Sequence, residues 1–323
     1  MDVFILTLNQ MLMLFSLIIA GLLLKRKNIL PEGTGTAMSR LETYIFVPAL
    51  NIYNAMTNCT PQTFAENSSL ILYGTALTMS AVIFSYPISC LFIRKSKGDA
   101  KREYQRNIYK YALTFGNFGF LGNAIILGIW GGEMLFKFNM FNLCSTLVCN
   151  SWGLYVLIPK EQSNAGLWKN IVSGFTKPAV IALFIGIVLG LLNLKPYVPE
   201  FMLSALSSAS GCMGPVAMLL AGFVIGGYKL KSLFSDIKVY FITALRLIVI
   251  PAVMALSLML FNASDEIITL TIFAFAAPLG LNTIIFPAAY GGDTKPGAAM
   301  TMISSTLAVI TIPIMYLIFV VIL

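Results

Sequence analysis

Ten stretches of the chain, at roughly 3–24, 37–56, 68–93, 108–129, 134–158, 178–194, 211–227, 240–261, 264–290 and 295–321, are apolar over a bilayer's width. A spanning helix needs about 20 such residues. Hydrocarbon offers backbone groups no water, so only helices or closed barrels can cross it. Runs this continuously apolar predict an all-α integral membrane protein. The longest polar stretch, 94–107, is too short for a separate soluble domain. Of 323 residues 58% are hydrophobic and 11% charged, against about 45–50% and roughly 25% in a soluble domain. A cytosolic enzyme, a nucleic-acid binder and a disordered scaffold are excluded; the lipid bilayer is the first partner.

The net charge of +8 follows from topology. Eighteen basic residues fall in or beside the loops after odd-numbered spans: Lys25, Arg26, Lys27 and Arg40; seven from Arg94 to Lys110, including Lys95 and Lys97; Lys160, Lys169 and Lys177; Lys229, Lys231 and Lys238; and Lys295. The opposite loops hold Lys137 and Lys195. Cytoplasmic loops are the Lys/Arg-rich ones, so both termini are expected outside, in a plasma membrane of the bacterial inner-membrane kind. Met1-Asp2-Val3 carries no basic leader, so the first span reads as an anchor and not a signal peptide.

The chain has no His, which removes the commonest general base and zinc ligand. Cys59, Cys90, Cys144, Cys149 and Cys212 are scattered through apolar stretches and read as small fillers, with no disulfide framework. GxSxG, HExxH and paired intramembrane carboxylates are also missing, so no enzyme, metal site or resident cofactor is expected.

The sequence repeats itself. Trp130-Gly131-Gly132-Glu133 returns as Tyr290-Gly291-Gly292-Asp293, 160 positions later, and Ser145-Thr146-Leu147-Val148 as Ser305-Thr306-Leu307-Ala308. More loosely, Pro48 parallels Pro215, Pro87 parallels Pro251, and the run 18–23 parallels 187–192. Five spans per copy is an odd number, so the second copy, 178–321, must enter the membrane opposite to the first, 1–158. That is an inverted-topology repeat, common among secondary transporters; the alternative is a repeat kept for packing alone.

Span four contains Gly116-Asn117-Phe118-Gly119-Phe120-Leu121-Gly122-Asn123, and span nine Pro278-Leu279-Gly280-Leu281-Asn282-Thr283. Glycines cost a helix about 1 kcal/mol each relative to Ala, and proline removes a donor. Both spans are therefore expected to break at matching depths, the pattern that marks a transport site. Half-helix N-termini facing each other attract an anion. Asn117, Asn282, Asn123, Thr283, Gly119, Pro278 and Gly280 are the substrate-site candidates, with Asn150 and Ser151 of span five beside them. The alternative is that these residues only mend the breaks. Thr75, Thr78 and Thr311 are candidates for an ion or supporting site. Asn51 reads as a helix-packing hydrogen bond, and Gly186/Gly190 and Gly222/Gly226 as close-packing pairs.

These motifs, with Val47-Pro48-Ala49-Leu50 and Ser304-Ser305-Thr306-Leu307…Thr311-Ile312-Pro313, resemble the auxin efflux carrier family over essentially the whole chain. That family includes plant PIN-type carriers and bacterial carriers of malonate-like acids. The short connection 159–177 resembles its prokaryotic branch. The resemblance implies ten spans in five-plus-five inverted symmetry. Spans one, two, six and seven would form a scaffold, often a homodimer; spans three to five and eight to ten would form an elevator-type transport domain with crossing broken helices four and nine. Asn123 stands where bacterial relatives usually have proline, and span three lacks the acidic residue of the plant carriers.

No Asp or Glu lies at mid-span, and Glu42 sits near the cytoplasmic start of span two. An ionisable proton carrier is therefore not apparent. Exporting a monoanion from a negative interior is favourable by roughly 2.3 kcal/mol per 100 mV, so alternating-access efflux or facilitated transport of small organic anions is expected. A sodium- or proton-coupled symporter on the bile-acid-carrier plan is the alternative, because Asn, Ser, Thr and backbone oxygens can hold Na⁺. Arg246, the one basic residue inside a span, either snorkels to the interface or acts as a gate that attracts anions.

Overall fold

The computed structural model describes residues 2–94, 99–159, 172, 174–289 and 292–323. Met1, Lys95, Lys97, Lys160, Lys169 and the repeat's Tyr290-Gly291 lie outside the described residues. Every described element is helical, and the only strand-like pairing among them is an isolated antiparallel bridge between Gly116 and Leu279.

Among the described residues six helical stretches are long and apolar enough to cross a membrane: Val3–Arg26, Ser68–Phe92, Phe118–Phe141, Glu200–Gly226, Ile237–Leu260 and Lys295–Ile322. Phe118–Phe141 is two arms, because Gly131 sits at φ +78°, a left-handed conformation that glycine adopts without strain. Leu143–Leu157 and Pro178–Leu191 are shorter apolar helices. The second apolar stretch is helical too, as Thr34–Leu41, a π-helical turn Glu42–Phe46 and Val47–Asn58.

Two boundaries differ from the sequence expectation. The seventh helix starts at Glu200 and not at 211. The polar stretch 94–107 turns helical from Ala100, where the Asp99 carboxylate accepts from the Arg102 N–H at 3.0 Å. Such a cap satisfies a donor that has no intrahelical partner. Apolarity marks where the membrane is, and a helix is free to run past it.

Two π-helical turns stand just before prolines. Glu42–Phe46 precedes Pro48, and Leu245–Val249 precedes Pro251. A proline ring clashes with the carbonyl four residues earlier and donates nothing; a wider turn relieves both, and such bulges often fall at functional sites. Each of these turns carries a buried charged residue, Glu42 and Arg246.

Helices Asp2–Arg26 and Glu200–Gly226 lie against each other through glycines. Gly21 faces the Leu219 carbonyl, and Gly222 faces the Ile18 carbonyl. Val47–Asn58 packs on Pro178–Leu191 in the same manner: a Cβ on Gly186 would lie 2.8 Å from Asn51 O, and one on Gly190 2.8 Å from Ala55 O. In lipid, such close backbone approach replaces the hydrophobic drive between helices. Asn51 adds an Nδ2 donation to Ala179 O at 2.8 Å, the packing bond expected of it. Ser68–Phe92 packs on Ala100–Thr114, while Ile237–Leu260 lies against Asp265–Phe275 and Lys295–Tyr316.

Candidate functional site

Helix Ala100–Thr114 ends in an extended Phe115, and helical winding resumes at Phe118. Helix Asp265–Phe275 stops at Ala276, which is still in the right-handed helical region, and winding resumes at Asn282. Both stretches expected to break therefore do. The two breaks touch: the Asn117 N–H donates to Pro278 O at 2.6 Å, completing the Gly116–Leu279 bridge. A Cβ on Gly116 would lie 2.5 Å from Ala277 O and 2.9 Å from Arg246 Nη2. Only glycine permits this crossing. The rest of the second break is closed by side chains, since the Leu279 N–H donates to Ser304 Oγ at 2.9 Å and Thr283 Oγ1 donates to Gly280 O at 2.8 Å.

On one side the crossing opens onto a cavity of about 210 Å³. Asn117, Gly119, Asn123, Asn150, Gly280 and Asn282 line it, so six of the nine substrate-site candidates share one space. The first N–H groups of a helix lack intrahelical acceptors, and both half-helices begin here. The opposite wall comes from the 34–58 helix and the start of Pro178–Leu191, through Glu42, Thr43, Asn51 and Lys177.

The remaining candidates lie elsewhere. Thr283 is fully buried and mends the break; Pro278 contributes its carbonyl to the bridge. Ser151 turns back on its own helix, donating to Leu147 O at 2.7 Å. Thr78 shares a hydrogen bond with Ser145 at 2.6 Å, joining two helices. Thr75 and Thr311 are also outside the cavity lining, and the Thr311 hydroxyl has no partner. These three threonines are not gathered at one point with the cavity.

Arg246 does not snorkel. It is 1% exposed, its Nη2 donates to Ala274 O at 3.3 Å, and its guanidinium lies 5.4 Å from the centre of the Phe275 ring. Ala274 belongs to the last turn of Asp265–Phe275, whose carbonyls lack intrahelical donors and whose dipole end favours a cation. The break thus draws the side chain inward, where the surrounding helices enclose it. Its Nε and Nη1 have no partner, and no carboxylate pairs with it among the described residues.

Three residues of the site escape sequence reasoning. Tyr111 is buried, and its hydroxyl accepts from Asn282 Nδ2 at 3.0 Å and shares a contact of 3.0 Å with Cys149 Sγ. Cys149 is thus more than a filler. Gly153 makes room for the Tyr111 ring, since a Cβ there would lie 2.7 Å from it. Glu42, expected near the interface, is 1% exposed and faces the cavity. Among the described residues no three His, Cys, Asp or Glu side chains gather as a metal site.

Apolar helices of membrane length, with two broken ones meeting beside an asparagine-lined cavity, define a multi-pass membrane protein of the transporter class. The chain belongs to the membrane transport protein family, that of the auxin efflux carriers, whose family model matches residues 6–170 and 164–316. It is 25% identical to an uncharacterized transporter of Methanocaldococcus jannaschii over 94% of this chain and 96% of that one. It is 23% identical to an uncharacterized transporter of Methanothermobacter thermautotrophicus, over 74% of each. The family and these relatives are described as transporters, not enzymes.

Proposed function

We propose that the protein is a secondary carrier of small organic anions, auxin-like or malonate-like carboxylates, working by alternating access. In this reading ten spans form two inverted repeats, 1–158 and 178–321. Spans one, two, six and seven are the scaffold, through which two copies pair; spans three to five and eight to ten move as an elevator-type transport domain. The observation that carries the reading is the contact of two helix breaks beside one cavity lined by Asn117 and Asn282.

The amides donate to a carboxylate, and the half-helix N-termini bring partial positive charge to it. Arg246, one layer beneath Gly116 and without a counter-ion among the described residues, adds a full positive charge that a small anion offsets. Glu42, Thr43 and Lys177 line the wall of the cavity, at helix ends that the basic loops would face toward the cytoplasm. Efflux or facilitated release of a monoanion then runs down the membrane potential.

A thermal-shift screen of mono- and dicarboxylates, with and without Na⁺, tests the substrate class in purified protein. Asn117→Ala and Asn282→Ala are each expected to abolish the ligand-induced shift while the protein stays folded. Unchanged binding in both variants would exclude the site. Uptake into proteoliposomes with and without a sodium gradient separates facilitated transport from a sodium-coupled symporter.

A further inference from the structure

Among the described residues Glu42 is the one carboxylate on the cavity wall. Its helix turns π-helical at this residue, and packing against Glu200–Gly226 and Pro178–Leu191 seals it to 1% exposure. Among the described residues neither carboxyl oxygen has a hydrogen-bond partner and no ion pair involves it. A buried carboxylate held for structure carries donors or a cation that offset its desolvation; this one has none. An ionisable group placed so inside a membrane protein marks a functional site.

The surrounding titratable and charged groups are few. Lys177 and the Cys149 thiol line the same cavity, and Tyr111 stands behind Asn282. The packed helix Glu200–Gly226 carries Glu200 and Cys212, both exposed, and Pro178–Leu191 carries none. Glu42's own helix adds Arg40 and Tyr44, both exposed, and the half-buried Tyr53.

We propose that Glu42 is a proton-binding site of the cavity, and that its neutral form admits a carboxylate to the crossing helices. This rests on the reading of the crossing as an anion site. A negative charge on the wall of so small a space repels a carboxylate approaching Asn117 and Asn282, because a water-poor cavity screens charge weakly. One proton on Glu42 removes the repulsion. Protonation thereby links anion entry to pH without any acidic residue among the crossing segments themselves.

Two measurements on purified full-length protein test this. Without ligand, pH-difference infrared spectra of the wild type are expected to show a protonated carboxyl band that disappears as pH rises and is missing in Glu42→Gln. No titrating band in the wild type, or the same band in Glu42→Gln, overturns the proton site. If Glu42→Gln does not fold, Glu42→Met replaces it, and the wild-type spectrum already decides the first outcome.

Indole-3-acetate affinity is then followed between about pH 6.5 and 9, where a simple carboxylic acid stays ionised. Wild-type affinity should fall with rising pH, by up to about tenfold per unit above the titration of Glu42, the limit for one linked proton. Glu42→Gln should be flat at the low-pH level, and Lys177→Gln should keep the wild-type slope. A flat wild type, or an unchanged slope in Glu42→Gln, overturns the admission step. If neither indole-3-acetate nor malonate binds wild type or Glu42→Gln at any pH, the anion reading of the crossing falls and takes the admission step with it. The infrared spectra then judge the proton site alone.

Discussion

The break at 115–117 rests on its partner's backbone, whereas the break at 276–281 carries its own supports. In the second, Pro278 removes a donor, Ser304 Oγ accepts the Leu279 N–H, and Thr283 Oγ1 donates to the Gly280 carbonyl. Ser304 and Thr283 both come from the same half of the chain as the break. The first has glycine freedom but no such fixings. Its Asn117 N–H reaches across to Pro278 O, and Gly116 is pressed against Ala277. Opening a helix in hydrocarbon leaves backbone groups that something must satisfy. One half supplies the answer for both, so damage to the second break should spread to the first, and damage to the first should stay local unless it pushes on the second.

Gly116→Ala is the severest test of that asymmetry. Its Cβ meets a carbonyl oxygen and the Arg246 guanidinium, and a backbone contact cannot rotate away; a loss of about 3 kcal/mol or more is expected in unfolding measurements in micelles. Ser304→Ala leaves the Leu279 N–H buried and unpaired and should cost about 2 kcal/mol. It should also weaken anion binding as much as Asn117→Ala does, if the first break depends on the second. Tyr111→Phe removes the hydroxyl that holds Asn282 across the halves. About 1 kcal/mol is expected, and a double-mutant cycle with Asn282→Ala should recover most of it as coupling. Equal effects of Tyr111→Phe with and without Asn282 would break the cross-support argument. Gly119→Ala is the smallest: no atom lies within 4 Å of its added Cβ, so stability should move by about 0.5 kcal/mol or less. Because Gly119 lines the cavity, any change in carboxylate affinity there reads cavity space alone.

Much of this arrangement was legible before any coordinates. Apolar length marks the spans, and the Gly-Asn and Pro-Leu-Gly clusters mark both breaks, because few residues tolerate a non-helical backbone inside a membrane. Helix starts were less legible. Glu200 and Ala100 lie in polar segments that continue a helix beyond its apolar part, and hydropathy cannot see that. Tyr111 carries no motif; an aromatic residue four positions before a break looks like any other in an apolar run. Glu42 and Arg246 are visible as charges but their depth is not: Glu42 reads as interfacial, and Arg246 as either snorkelling to the interface or gating. Distance along a span predicts depth only for a helix alone in lipid, and here π-turns and neighbouring helices enclose both side chains.

The reciprocal glycines at 21 and 222 have a genetic corollary. Each presses on a carbonyl of the opposing helix, leaving no room for even a methyl group. Every missense exchange at a glycine codon installs a larger residue, so this strip has no conservative neighbour in mutational space. Drift in a lineage carrying this gene should therefore spare those two codons, while the exposed leucines and isoleucines around them interchange freely.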